Sequence, residues 1–273
     1  MIVIVDAHLH CSGRETTGEV LRSLDDAAVD VAILLAPFLT EPYTLDDPAT
    51  LIRANLYLSA LVKGHEDRLI GFAVVNPRSP RAIDDAARSL DLPGIRGLKL
   101  VPAGWYPYDQ CAHAVYEVAS SRRAPILFHS GIFIDGRSGR YCRPTFFEAV
   151  RDHPALKVAL AHLGWPWTDE ANAVGIIDLI NGVAPDDAVF RFDLSFGAPP
   201  VYRQDVIRRA VACLTPSLLQ FGSDRFLPCS GAHIASAITE TRELCMAAGC
   251  SSADIARILG GTAAKWLGIE QRG

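Results

Sequence analysis

The sequence predicts an α/β fold, a single-domain (β/α)8 TIM barrel over residues 1–273, on three observations. Short β-branched apolar runs alternate with longer segments of helical spacing, eight strands to about eight helices. The strand runs are apolar nearly throughout, as strands are when a parallel sheet is covered on its faces. The chain has 273 residues, close to the roughly 250 that one such barrel takes.

The elements follow in order. Strand one covers residues 2–5, and helical spacing returns at 19–24. Strand two is 31–35, bounded by Pro37, and a helix covers 49–62. Strand three, 69–75, is closed by Asn76-Pro77 and followed by a helix at 81–90. Strand four is 97–101, with a helix at 112–120. Strand five is 125–129, with a short helix at 145–151. Strand six is 156–162, with a helix at 170–180. Strand seven is 189–194, with a helix at 205–213. Strand eight is 218–221, and helices at 234–246 and 252–267 close the chain. An open doubly wound sheet is the alternative. However, His8-Leu9-His10-Cys11-Ser12-Gly13 stands where a Gly-rich dinucleotide fingerprint would follow strand one.

Composition narrows the class. Hydrophobic residues make up 49% and charged residues 21%, an ordinary globular balance with ample material for a core. The net charge of −5 argues against a nucleic-acid partner, which calls for a basic face. No apolar run approaches the roughly 18 residues of a membrane span. The apolar start lacks the basic flank and cleavage site of a signal peptide. The seven cysteines include no C-x-x-C pair, so neither a zinc ribbon nor a disulfide framework is expected. A reducing cytoplasm is the expected location.

The chemistry concentrates at strand ends. His8 and His10 follow strand one, His129 ends strand five, His162 ends strand six and Asp224 follows strand eight. In a barrel these ends share one face, where active sites are built. Residues i and i+2 of an extended segment point the same way, so His8 and His10 can grip one cation together. His129 and Asp224 complete a mixed nitrogen and oxygen site suited to Zn2+, with Mn2+ or Fe2+ as alternatives. The other four histidines, His65, His113, His153 and His233, fall on helices or loops, with His233 the nearest to the rim.

Asp6-Ala7-His8-Leu9-His10, Gly97-Leu98-Lys99-Leu100, Phe128-His129-Ser130-Gly131, Ala161-His162-Leu163-Gly164-Trp165, Phe221-Gly222-Ser223-Asp224 and the tail from Ile258 to Ala264 occur in this order. In these segments the sequence resembles the amidohydrolase superfamily, in the amidohydrolase-2 branch that holds hydrolases and decarboxylases similar to aminocarboxymuconate-semialdehyde decarboxylase. The resemblance implies one divalent metal on His8, His10, His129 and Asp224. It gives His162 a catalytic role beside the metal and Asp224 a second role as proton carrier. Asp6 supports a ligand histidine or caps the strand. It implies a metal-dependent hydrolase of a carboxylated or cyclic ester, lactone or amide. The alternatives are a non-oxidative decarboxylase of an unsaturated or aromatic acid, and a catalytically idle metal-binding barrel. A homodimer is a further family expectation.

Two departures leave the metal ligands untouched. Arg225 stands where the family often has an aromatic residue, a change that bears on the substrate, and Thr262 stands where the closing motif often has Asn. Lys99 occupies the place where binuclear relatives carry a carboxylated lysine, and is read here as a pocket charge. Arg137, Arg140 and Arg143 make the long loop after strand five basic, suited to a substrate carboxylate or to surface ion pairs. Lys99, Arg137, Arg140, Trp165 and Arg225 are the expected substrate contacts. Trp105, Tyr106 and Tyr108 either wall the pocket with Trp165 or pack beneath a loop. Cys11 faces away from His10.

Overall fold

The computed structural model describes residues 3–269; the first residue of the expected strand one, Ile2, lies outside them, as do Met1 and residues 270–273. Each turn of the chain adds a parallel strand beside the last. The strands are β1 (Val5–His10), β2 (Val31–Leu35), β3 (Leu69–Val74), β4 (Ile95–Leu100), β5 (Ile126–Phe128), β6 (Val158–Leu160), β7 (Phe190–Asp193), β8 (Leu219–Gln220) and β9 (Arg225–Phe226). The sheet runs β8-β7-β6-β5-β4-β3-β2-β1-β9, all parallel. The ends meet because β9 continues the path of β8 alongside β1. Ala7 donates to the carbonyl of Phe221 (3.0 Å), Asp224 to that of His8 (2.8 Å) and Leu227 to that of His10 (2.8 Å). The result is the (β/α)8 barrel.

Helices clothe the outside. The α1 helix (Thr17–Asp26) starts at a capping box in which the Thr16 hydroxyl accepts from the Glu19 amide and Glu19 reaches back. The α2 helix (Pro48–Val62) starts with Asp47 as cap and proline in its first turn. They are followed by α3 (Ala82–Leu90), α4 (Gln110–Ser121), α5 (Thr168–Ile180), α6 (Pro200–Cys213) and α7 (Gly231–Ala247). The large apolar cluster between helices and strands is one core. A second fills the barrel itself, with Val5, Ala7, Ile33, Phe72, Leu127 and Ala159 among its members.

The differences from the expected elements have local causes. Strand one is not 2–5 but Val5–His10, so the two histidines lie on the strand and not beyond it. Residues 145–151 form a 3-10 helix, Pro144–Asp152. The expected closing helix over 252–267 is interrupted by a π segment, Arg257–Gly261, between α8 (Ser252–Ala256) and α9 (Thr262–Trp266). There Gly260 packs so tightly that a Cβ would lie 1.8 Å from the carbonyl oxygen of Val3. A wider turn and a residue without a side chain let this stretch cross beneath β1. Trp266 then closes the barrel against Phe72, ring centroids 5.6 Å apart.

Candidate metal centre

Strand β1 carries a bulge. Asp6 pairs with Ala32 and Leu9 with Leu34, three steps on one strand against two on the other. The extra residue reverses the alternation, so Ala7 below and His8 and His10 above all turn into the barrel. His8 and His10 are both buried. On the far side of the seam, Gly222 brings the chain so close that a Cβ there would lie 2.6 Å from the Cβ of His8. Asp224 follows in the left-handed region, at φ 53°. Its conformation swings the carboxylate over the histidine pair.

Three donor atoms form a near-equilateral triangle. His8 Nε2 lies 3.1 Å from His10 Nε2, His10 Nε2 is 3.0 Å from Asp224 Oδ1, and His8 Nε2 is 3.3 Å from the same oxygen. Ligands about 2.0–2.1 Å from a tetrahedral ion stand roughly 3.3 Å apart, so the spacing suits one small divalent cation. The remaining hydrogen bonds agree with this. His8 Nδ1 lies 2.6 Å from Asp193 Oδ2 and donates to it, which leaves Nε2 as a lone pair facing the triangle. Burial brings His8 down to about 4, so the ring is neutral at pH 7. Against the cost of its burial, the charges of His8 and His162 hold the Asp224 carboxyl well below the usual carboxylate range, and His10 bonds to it. Asp193, buried likewise, is held down to about 2 by His8.

His162 is brought to the same place by an unusual backbone. It lies two residues beyond the end of β6, in the 3-10 turn Ala161–Gly164, at φ 60°, with Leu163 also in the left-handed region. Gly197 makes room for it, since a Cβ there would lie 2.5 Å from the Cβ of His162. His162, His8 and Asp224 each offer a ligand atom, all within 4.8 Å of one another. The Nδ1 atom of His162 lies 2.9 Å from the Ser195 hydroxyl and 4.0 Å from Asp224 Oδ2. His129 stands beside it, ring centroids 5.1 Å apart. It donates from Nε2 to the carbonyl of Ile132 (2.8 Å), which leaves Nδ1 as its lone pair.

The other expected residues are more dispersed. Asp6 is buried, and its Oδ1 accepts from the amides of His8 (3.1 Å) and Ser223 (2.9 Å). It staples the seam through backbone, and among the described residues its Oδ2 has no hydrogen-bond partner. Lys99 is buried in β4. Arg137 and Arg140 are exposed, Arg140 lying over the Tyr141 ring. Arg143 is ion-paired with Glu170 and lies over Trp167. Arg225 is exposed on β9, while its neighbour Phe226 stacks on His10 with centroids 4.5 Å apart. Trp165 is half-buried against Tyr202. Tyr106 and Tyr108 stack on each other, Tyr106 meets Tyr141 and both meet Phe146, with Tyr108 left half exposed. His113 and His153 bond to each other away from the barrel mouth, and His233 is exposed at the start of α7.

Two members of the site have no place in the sequence expectations, Asp193 and Ser195. Their signal was the same as that of the histidine pair: Asp-x-Ser at the end of a strand puts both side chains on one side.

With this geometry in place, comparison with known proteins gives the class. The amidohydrolase family model matches residues 5–269, so the chain belongs to the amidohydrolase family, whose members are metal-dependent hydrolases and carboxy-lyases. Three solved structures share its fold at low identity. The 5-carboxyvanillate decarboxylase of Sphingomonas paucimobilis is 18% identical at a TM-score of 0.68, covering 99% of this chain and 100% of that one. A dihydroxybenzoic acid decarboxylase of Polaromonas sp. JS666, solved with manganese and 2-nitroresorcinol, is 14% identical at 0.70, covering 100% and 98%. A probable 2-pyrone-4,6-dicarboxylic acid hydrolase of Acinetobacter baumannii, solved with citric acid, is 15% identical at 0.65, covering 98% and 100%. No curated protein sequence matches the chain significantly. Among the described residues, no helix is long and apolar enough to cross a membrane.

Proposed function

We propose that this enzyme is a metal-dependent hydrolase acting on a carboxylated or cyclic small-molecule ester, lactone or amide. The observation that carries the reading is the triangle of His8 Nε2, His10 Nε2 and Asp224 Oδ1, with Asp193 fixing the tautomer of His8. His8, His10 and Asp224 would hold one divalent ion, Zn2+ in first place and Mn2+ or Fe2+ as alternatives. His129 would add Nδ1 as a fourth ligand. Such an ion supplies Lewis acidity, which polarises a carbonyl and makes water a stronger acid.

The residues then divide the proton work. Asp224 is ionised at neutral pH, and its Oδ2 faces His162 and not the triangle. It accepts the proton of the attacking water and returns it to the leaving group. His162 stands beside it, oriented by Ser195, and steadies the oxyanion that develops on the substrate. The seven cysteines are free thiols, which supports a reducing, cytoplasmic setting.

A second reading is non-oxidative decarboxylation of an unsaturated or aromatic acid. It draws on Ile132, Ile134, Phe196 and Phe226, exposed apolar side chains beyond the ends of β5 and β7 and on β9, which suit a flat apolar substrate body. One experiment separates the two. Metal-replete protein is assayed on a panel of carboxylated lactones, esters and amides for acid release, and on aromatic and unsaturated acids for carbon dioxide. Turnover of the first panel supports hydrolysis. Carbon dioxide release alone moves the reading to the second. Inertness on both panels, with metal bound, leaves an idle barrel.

A further inference from the structure

Lys99 is one of four lysines and the only one fully buried, at 1% exposure. It pairs in register with Leu127 of β5, a member of the cluster that fills the barrel. Residues in register on parallel neighbours share a face, so Lys99 points inward. Two residues earlier on the same face, Gly97 lies under the Phe72 ring, where a Cβ would be 2.6 Å from the ring. Below Lys99 is therefore hydrocarbon, closed further down by Trp266 against Phe72. Two residues beyond Leu127, and one layer above Lys99, is His129. The ammonium lies between an apolar floor and the metal centre.

Among the described residues its Nζ has no hydrogen-bond partner. It is nevertheless near enough to be felt across the site. It works against protonation of His8, His10 and His129, and burial brings its own value down to about 8, with Asp193 and Asp224 opposing the loss of its proton. A buried cation without a partner is strongly unfavourable unless something compensates it. The two carboxylates do so only in part once a divalent ion has taken Asp224. With Lys99 protonated, Asp193 and Asp224 ionised and the imidazoles neutral, a divalent ion would leave these groups with one net positive charge.

We propose that Lys99 is the carboxylate-binding residue of the active site, which selects monoanionic substrates by seating their carboxylate between its ammonium and the metal centre. The inference rests on the metal-centre reading above and names the charged group that its substrate must carry. It also sets the exposed arginines aside. Arg143 is already ion-paired, and Arg137, Arg140 and Arg225 lie in solvent, where a single ion pair contributes little.

The probe is benzoate, with benzamide as its neutral counterpart. In metal-loaded protein labelled at the lysine 13Cε position, four resonances are expected. They are assigned with Lys63→Arg, Lys157→Arg and Lys265→Arg, three changes outside the barrel. Benzoate should shift the Lys99 resonance alone, and benzamide should shift none. Calorimetry on Lys99→Met should show benzoate binding weakened about thirtyfold or more, with metal content unchanged. A Lys99 resonance indifferent to saturating benzoate, or Lys99→Met binding benzoate as tightly as wild type, overturns the proposal. A protein that retains no metal would instead undo the metal-centre reading. If Lys99→Met does not fold, the resonance measurement on wild type decides the question.

Discussion

Two pairs of histidines lie at nearly the same separation in this molecule. His8 and His10 approach to 3.1 Å between Nε2 atoms, and His113 Nδ1 and His153 Nε2 to 3.0 Å. What surrounds them differs. The first pair is buried in the barrel, with Asp193 bonded to one ring and Asp224 within 3.3 Å of both. The second bridges α4 and the end of the 3-10 helix Pro144–Asp152 on the outside of the barrel, against the ring of Tyr116, and among the described residues neither ring is bonded to a carboxylate. Two imidazoles in contact can share a proton anywhere. They become a metal-ligand pair where a carboxylate takes the outer N–H, the inner nitrogens are left as lone pairs, and a negative charge faces them.

The largest expected effect tests the facing charge. Asp224→Asn keeps the shape and removes both the anionic ligand and the proton acceptor. Turnover on whichever substrate panel responds should fall about a thousandfold or more, and bound metal should drop below stoichiometric when measured by elemental analysis. If the Asp224→Asn protein kept near-wild-type turnover, the first pair would be no more than the second, two histidines in contact.

The next effect tests the backing. Asp193→Asn replaces an acceptor of the His8 Nδ1 proton with a group that can equally donate, and so releases the tautomer. Metal affinity in competition with a chromophoric chelator should weaken about 10–100-fold, with the fold intact by circular dichroism. Unchanged affinity would show that the bulge in β1 alone sets the pair.

The two pairs also show what a sequence makes legible. His8, His10, His162 and Asp224 could be placed at one mouth because strand periodicity and barrel closure carry every strand's end to the same face. The bulge at Ala7 and His8 could not be read, since it depends on how β1 is held between β2 and the chain after β8. The left-handed φ of His162 and Asp224 was equally hidden, because neither is a residue that requires it. Both features decide which atoms meet. The bond between His113 and His153 was invisible for a simpler reason: it joins two elements 40 residues apart through nothing but packing. Asp193 was readable in principle, but a carboxylate at a strand end attracts notice only when the histidine beneath it is known.

The smallest effect lies at the outer pair. Burial, and then the neighbouring charge of His113, hold His153 below the ordinary 6.5 of a histidine. A group whose folded value is depressed binds its proton more readily in the unfolded chain, so its contribution is complete above about pH 6.5. That contribution is lost as pH falls through the lower folded value, where two charged rings would face each other. Melting temperature should therefore decline on acidification from pH 7 toward 5 slightly more steeply in wild type than in His153→Gln. The difference should be under about 2 °C, because a ring still partly open to solvent is well screened. The same substitution should leave metal content and turnover untouched. A His153→Gln protein that lost metal would mean that the outer pair communicates with the barrel mouth, and the contrast between the two pairs would fail.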